Sequence, residues 1–278
     1  MPEANATFDG LIPEVYDSHL GAVLFEPYAA DLVKRLKPRG PKDVLELACG
    51  TGIVTRALSE GLKPGARIVA TDLNEPMLHY ARSKVKAAPG LEWRQADASQ
   101  LPFPDATFDA VVCQFGVMFV PDKLLAMREA RRVLRPGGVF AFNVWDKLEE
   151  NDLGRTAHET ITRFFPSDPP QFYTIPFGFH DSELIRSMLG QAGFAEVEIE
   201  NVAKESRSPS AGHVAVGLVR GNPVVNAIQE RGSVEVDTVI AAVEEALRGR
   251  YGDSPLTAKM RAWVVMASPG GREKVAVS

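Results

Sequence analysis

The chain has little of what builds disulfide frameworks, membrane spans or nucleic-acid grooves. Only two cysteines, Cys49 and Cys113, occur in 278 residues. They show no Cys-x-x-Cys spacing and fall within or beside apolar runs. Two reduced, buried thiols are therefore expected, as in a cytoplasmic protein. No run of about 18 apolar residues occurs, so no membrane-spanning helix is expected. There is no basic block: 31 Lys and Arg stand against 36 Asp and Glu, a net charge of −5, which argues against a nucleic-acid substrate. The segment MPEANATFDGLIPEVYD contains neither the basic nor the apolar stretch of a secretory signal. No group of His, Cys, Asp and Glu has metal-ligand spacing, so no metal is expected. Internal repeats and low-complexity tracts are lacking. What is present is an ordinary apolar fraction, 45%, enough for a sizeable core.

Apolar periodicity predicts a helix over 11–37, through Tyr16, Leu20, Val23, Leu24, Tyr28, Leu32 and Leu36, ended by Pro38, Gly40 and Pro41. Strands and helices then alternate. Strands are expected at 43–48, 67–72, 91–95, 108–114 and 139–145, and helices at 53–60, 75–86 and 122–134. That rhythm implies a parallel sheet covered on both faces, an α/β fold. After 146 the pattern changes. Residues 147–180 carry prolines and the aromatics Phe164, Phe165, Phe172, Tyr173, Phe177 and Phe179. A helix at 182–192 and a strand at 195–201 follow. Residues 210–250 read as helical, broken at Gly221-Asn222-Pro223 and near Gly232, and 262–267 as a last strand.

The run Val44-Leu45-Glu46-Leu47-Ala48-Cys49-Gly50-Thr51-Gly52 carries the chemistry. It reads as a buried strand that stops at a glycine turn and feeds a helix. The free amides of that helix favour an anion such as a carboxylate or phosphate. Asp72 ends the next strand about 20 residues on, where a carboxylate can accept from both ribose hydroxyls. Asp97, after the third strand, offers an oxygen to an adenine amine, although an Asp in a loop is as often a turn former. The dinucleotide fingerprint G-x-G-x-x-G is incomplete, because its sixth position is Thr55. No Gly-Lys-Ser/Thr follows, which excludes a phosphate-binding P-loop.

Residues 42–146 resemble the class I S-adenosylmethionine-dependent methyltransferases, most of all the UbiE-like type of ubiquinone and menaquinone biosynthesis. The resemblance rests on Val44–Gly52, on Ala70-Thr71-Asp72-Leu73-Asn74-Glu75-Pro76-Met77-Leu78, and on Ala96-Asp97-Ala98 with Leu101-Pro102-Phe103. Phe108-Asp109 and Arg132-Val133-Leu134-Arg135-Pro136-Gly137-Gly138 complete it. It implies a Rossmann-like sheet of seven strands, mostly parallel with the last antiparallel, and S-adenosyl-L-methionine as cofactor. It also implies one methyltransferase domain over 1–278, with a core at about 40–146, 182–201 and 258–268. Helical or cap additions would then lie at about 11–37, 147–180 and 205–255. Carried over residue by residue, it sets Glu46, Ala48, Gly50 and Gly52 around the methionine part. Asp72 falls at the ribose, Leu73 and Met77 beside the adenine, and Asp97 and Ala98 at the adenine edge. Gln114 and Phe115 fall on the sulfonium side, and Tyr16 over the methionine carboxylate. Arg135–Gly138 reads as structural.

Methyl transfer from a sulfonium needs orientation and dryness more than a base, so the catalytic residue is the least legible part. His180 is the first candidate base, because it ends the aromatic stretch 172–179; its other reading is a flank of the next helix. His19 is the second candidate, and His79 belongs simply to its helix. The aromatics at 164–179 suit either a roof over a planar substrate or the core of a cap. The stripe Val234, Val239, Ile240, Val243 and Leu247 suits burial within the chain. Asp105, Asp122 and the charges at 128–135 read as solvated surface. The expected function is methyl transfer to a small, partly apolar molecule at carbon, oxygen or nitrogen. A nicotinamide-dependent oxidoreductase and a non-catalytic S-adenosylmethionine-binding sensor stay open as alternatives.

Overall fold

The computed structural model describes residues 10–270, so the first nine residues of the segment read above for a secretory signal lie outside the described part. The chain opens with helix α1 (Ile12–Leu20), a π-helical stretch (Gly21–Phe25) and helix α2 (Glu26–Leu36). One face of α2 buries Tyr28, Ala29, Leu32, Val33 and Leu36, which is the three- and four-residue spacing seen in the sequence. Gly40, with φ of 57°, turns the chain into the sheet.

Five parallel strands follow: β1 (Asp43–Glu46), β2 (Arg67–Asp72), β3 (Leu91–Gln95), β4 (Phe108–Gln114) and β5 (Leu134–Trp145). Their crossover helices are α3 (Ile53–Gly61), α4 (Glu75–Lys84) and α5 (Lys123–Val133). Next come α6 (Asp152–Arg163), α7 (Ser182–Gln191) and β6 (Glu196–Ser208). The helices α8 (Ala211–Arg220), α9 (Val224–Arg231) and α10 (Val236–Tyr251) lead to β7 (Leu256–Ser268). The sheet order is β3-β2-β1-β4-β5-β7-β6, with β7 antiparallel to both neighbours. Strand order reverses at β1, between β2 and β4, and a crevice opens there at the carboxyl ends. The central strands are buried on both faces: Val44, Leu45, Ala110, Val111, Val112, Ala141 and Phe142 are fully buried.

The addition at 147–180 contains a full helix, α6, whose amphipathic face buries Leu153, Ala157 and Ile161. Other expectations need correction. β6 and β7 run to 13 residues each, paired from Glu196–Ser268 to Ser208–Leu256. Their outer halves alternate polar and apolar residues, so no continuous apolar run marks them. Arg135–Gly138 lies within β5 rather than ahead of it: the register slips between Phe108–Leu134 and Ala110–Val139. Arg135 is no idle surface charge, because its Nη1 bonds Asp43 at 2.7 Å and Asp109 at 2.8 Å. Arg132 likewise bonds Glu129 at 2.7 Å and Asp105 at 2.9 Å. Asp122 caps α5 by accepting from the Leu125 amide at 2.9 Å. The apolar stripe is buried, as expected: Val239, Val243 and Leu247 fully and Ile240 nearly so on α10, with Val234, ahead of that helix, half-buried.

Candidate functional site

Glu46 closes β1 with its carboxyl 1% exposed. The Thr55 hydroxyl donates to it at 2.6 Å, and the Thr71 hydroxyl donates to its backbone oxygen at 2.7 Å. Burial pushes this carboxyl up to about 8; the Thr55 hydrogen bond holds it back, and the nearby charge of Asp72 adds to the rise. Past Glu46 the chain is left-handed at Ala48 (φ 50°), Gly50 (φ 54°) and Gly52 (φ 84°). A side chain at Gly52 would be strained by φ of 84° and would force a shift, since a Cβ would lie 2.7 Å from Val85 Cγ2. α3 begins immediately after, without a side-chain cap; its Thr55 amide turns to the Glu46 carboxyl, and the Ile53 and Val54 amides face the loop.

Asp72 secures that loop from β2. Its Oδ2 accepts from the Gly50 amide at 2.8 Å and its Oδ1 from the Asn74 amide at 2.8 Å. Burial raises its pKa, while these amide bonds pull it down. Neither Asp72 nor Asn74 caps α4 by its side chain. From the other side α1 leans over the loop. Asp17 accepts from the Thr51 hydroxyl and the Tyr80 hydroxyl, each at 3.1 Å, and so links α1 to the glycine turn and to α4.

A cavity of about 320 Å³ opens among these parts. Tyr16, Glu46, Ala48, Gly50 and Gln114, all expected at the site, line it together with Phe25, Cys49 and Thr51. Gln114 donates from Nε2 to the Phe25 oxygen at 3.1 Å, while its Oε1 is buried without a hydrogen-bond partner among the described residues. Gly52, Asp72, Leu73, Met77, Asp97 and Ala98, also expected at the site, line neither cavity and lie at or just past the carboxyl ends of β1, β2 and β3 or on α4. Met77 is buried on α4 and Leu73 is 61% exposed at the tip of β2. Asp97 is exposed and Ala98 half-buried. Asp97 Oδ1 accepts from the Ser99 amide at 2.7 Å, so its turn-forming role is present.

A second cavity, of about 640 Å³, adjoins the first and shares Tyr16 and Phe25 with it. Its walls are aromatic. Phe115 stacks on Trp145 at 3.8 Å, Phe25 meets Phe115 edge-on at 5.8 Å, and Tyr16 stacks on Phe25 at 4.7 Å. Phe115 is held at φ 52°, unusual for a bulky residue, by its amide bond to the Asn143 oxygens. Gly116 makes the turn possible: a Cβ there would lie 2.5 Å from the Ala48 Cβ. The cap aromatics divide, with Phe172, Tyr173 and Phe177 lining the cavity and Phe165 and Phe179 in the core.

His180 lies away from the cavities. It lines neither cavity; its Nδ1 lies 2.8 Å from the Phe177 oxygen, and it sits just ahead of Asp181, which caps α7. His19 is likewise outside both cavities, stacked on His213 at 4.5 Å. His79 is exposed on α4. Among the lining residues of the larger cavity there is no His, Asp or Glu. Phe25 and Trp145 were not foreseen at the site, because they are separated in sequence from every motif.

A family model described as a methyltransferase domain matches residues 45–142. The ubiquinone/menaquinone biosynthesis C-methyltransferase UbiE of Saccharophagus degradans is 33% identical over 178 residues, covering 59% of this chain and 71% of that protein. The chain belongs to the UbiE-like class I S-adenosylmethionine-dependent methyltransferases. The demethylmenaquinone methyltransferase of Staphylococcus carnosus is 26% identical over 200 residues, covering 67% of this chain and 83% of its own. Among solved structures, a methyltransferase of Aquifex aeolicus matches with a TM-score of 0.52 at 22% identity, covering 70% of this chain and 93% of that one. The phosphoethanolamine N-methyltransferase 2 of Haemonchus contortus, in complex with S-adenosyl-L-methionine, matches with a TM-score of 0.59 at 14% identity, covering 92% and 56%. These two show the shared fold. As a member of that family, this methyltransferase uses S-adenosyl-L-methionine as its cofactor.

Proposed function

We propose that the methyltransferase modifies a small, planar, largely apolar acceptor seated in the aromatic cavity. The observation that carries this reading is the wall of Tyr16 and Phe25 common to the two cavities. At that shared edge the two cavities adjoin, so an acceptor in the larger space would lie next to a sulfur in the smaller one. The residues fit the cofactor's tail: a buried Glu46 carboxyl and the orphaned Gln114 Oε1 suit an ammonium group, and the free amides of α3 suit a carboxylate. Asp72 would hold the ribose, Leu73 and Met77 would flank the adenine, and Asp97 with the Ala98 backbone would read its edge. Ala48, Gly50 and Gly52 shape the loop, Phe115 faces the sulfonium side, and Tyr16 covers the methionine part.

When bound, the cofactor supplies a methyl activated on a sulfonium, with a neutral thioether as leaving group. The protein's part is alignment and dryness. Phe25, Phe115 and Trp145 hold a flat ring and exclude water from its reacting atom. With no carboxylate or imidazole lining the acceptor cavity, the acceptor brings its own nucleophile, as an electron-rich ring carbon or an easily ionised oxygen does. The relatives' names, for ubiquinone, menaquinone and demethylmenaquinone, agree with that chemistry. The whole chain acts as one domain whose additions before β1, after β5 and between β6 and β7 build the acceptor cavity. Buried, unpaired Cys49 and Cys113 fit a cytoplasmic setting. The test is incubation with methyl-labelled S-adenosylmethionine and separate quinols, phenols and amines. Labelled quinol or phenol supports the reading; no labelled product from any class or from a metabolite extract favours a non-catalytic binder.

A further inference from the structure

The larger cavity is lined by a few polar side chains among its aromatics, and most of them are already committed. The Tyr173 hydroxyl donates to the Leu218 oxygen at 2.7 Å. Asn151 donates to the Asp146 oxygen at 3.1 Å and accepts from the Arg261 amide at 2.9 Å. Lys259 pairs with Glu150 at 2.8 Å. Ser206 differs. It lines the cavity from β6, is 0% exposed, and its hydroxyl has no hydrogen-bond partner among the described residues. Its inward direction follows from the strand: Glu205 and Arg207 on either side are exposed and paired with each other at 2.8 Å, while Ser206 and Ser208 are buried on the opposite face. Ser208 is satisfied, donating to the Ser210 oxygen at 2.8 Å. Asn222, another lining residue, spends its amide nitrogen on the oxygens of Gly217 and Leu218, which leaves its side-chain oxygen as its hydrogen-bonding atom.

A buried hydroxyl without a partner is a standing cost that a ligand oxygen can relieve. We infer that Ser206 is a specificity contact for a second oxygen of the acceptor, remote from the atom that receives the methyl. The inference rests on the reading of this cavity as the acceptor site. It narrows the acceptor to flat apolar rings with polar atoms at two ends, and it disfavours singly substituted or purely hydrocarbon rings of the same size. Discrimination of this kind is strong because an analogue without the oxygen leaves the hydroxyl buried and unpaired.

Equilibrium dialysis on the full chain saturated with S-adenosylhomocysteine tests it, with 1,4-dihydroxynaphthalene, kept under nitrogen, and naphthalene as probes. Wild type should bind the diol at least tenfold more tightly than naphthalene. Ser206→Ala should weaken the diol about tenfold, roughly 1.4 kcal/mol, and leave naphthalene unchanged. Ser206→Cys, of similar size and a weaker donor, should show the same sense of loss, and Ser208→Ala should leave both affinities alone. Unaltered S-adenosylhomocysteine binding in each variant certifies the fold. Diol affinity in Ser206→Ala equal to that of wild type overturns the role of Ser206 while naphthalene binding upholds the cavity. Failure of wild type to bind either probe overturns the acceptor-cavity reading and this inference with it.

Discussion

With the cofactor's ammonium placed beside Glu46 as proposed, the Glu46 carboxyl makes cofactor binding a protonation event. Buried at the end of β1, with Thr55 donating to it from both its hydroxyl and its amide, it has a pKa raised from 4.5 to about 8. At pH 7 the free protein then holds this group about nine-tenths protonated. A cationic tail settling against it favours the charged form, so binding at pH 7 should release close to one proton. Below pH 8 the affinity should rise about tenfold per pH unit, and above pH 8 it should level off, on the order of 100-fold between pH 6 and 9. Without cofactor the sign is opposite for stability. The folded state holds the proton more tightly than the unfolded chain, so this contribution is fully present below pH 4.5. It is lost as pH rises through 8, by on the order of 5 kcal/mol at 1.36 kcal/mol per unit. Calorimetry in buffers of different ionisation enthalpy measures the proton count. Glu46→Gln isolates it from titration of the ligand itself, because the variant should lack this proton release and this part of the pH dependence. Equal proton release in wild type and Glu46→Gln would refute the reasoning.

Three further outcomes are expected. Asp72→Ala should weaken S-adenosylhomocysteine binding at least tenfold, through loss of charge-assisted bonds to the ribose and of the Gly50 tether; an unchanged dissociation constant in a folded variant removes Asp72 from the site. Gly116→Ala places a methyl 2.5 Å from Ala48 and 2.8 Å from Cys113 Sγ, so it should cost about 1–3 kcal/mol in urea unfolding and shift the glycine turn. A wild-type midpoint would show that the contact relaxes freely. Tyr28→Phe deletes the 2.9 Å bond to the Val202 oxygen in the core and should cost about 1 kcal/mol with methyl transfer intact; a larger loss of activity than of stability would assign Tyr28 a part in the site.

The sequence made the cofactor side legible because its features are local. A buried acid, three left-handed positions and a second acid ending the next strand all follow from Val44–Gly52 and Asp72. The acceptor side was opaque for the opposite reason. Tyr16, Phe25, Phe115, Trp145, Tyr173, Ser206 and Met260 meet across nearly the whole chain, and no spacing announces that meeting. Phe25 is brought inward by the π-helical stretch Gly21–Phe25, which a helical period cannot reveal. The last strand is longer than its apolar run because Lys259 and Arg261 interrupt that run in β7, although they sit on its alternating polar positions. Ser206 has no sequence signal at all, since a missing partner is a tertiary fact. His180 looked informative because of its aromatic neighbours, yet its ring turns back to the Phe177 oxygen.

The central claim is that the nucleoside lies across the carboxyl ends of β1 and β2 with its sulfur toward the wall of Tyr16 and Phe25. A crystal structure with S-adenosylhomocysteine bound tests it most directly. The account predicts ribose hydroxyls on Asp72, the amino-acid tail beside Glu46 and the α3 amides, and sulfur facing the aromatic cavity. A nucleoside bound elsewhere, or a sulfur pointing away from Phe25 and Phe115, would contradict it.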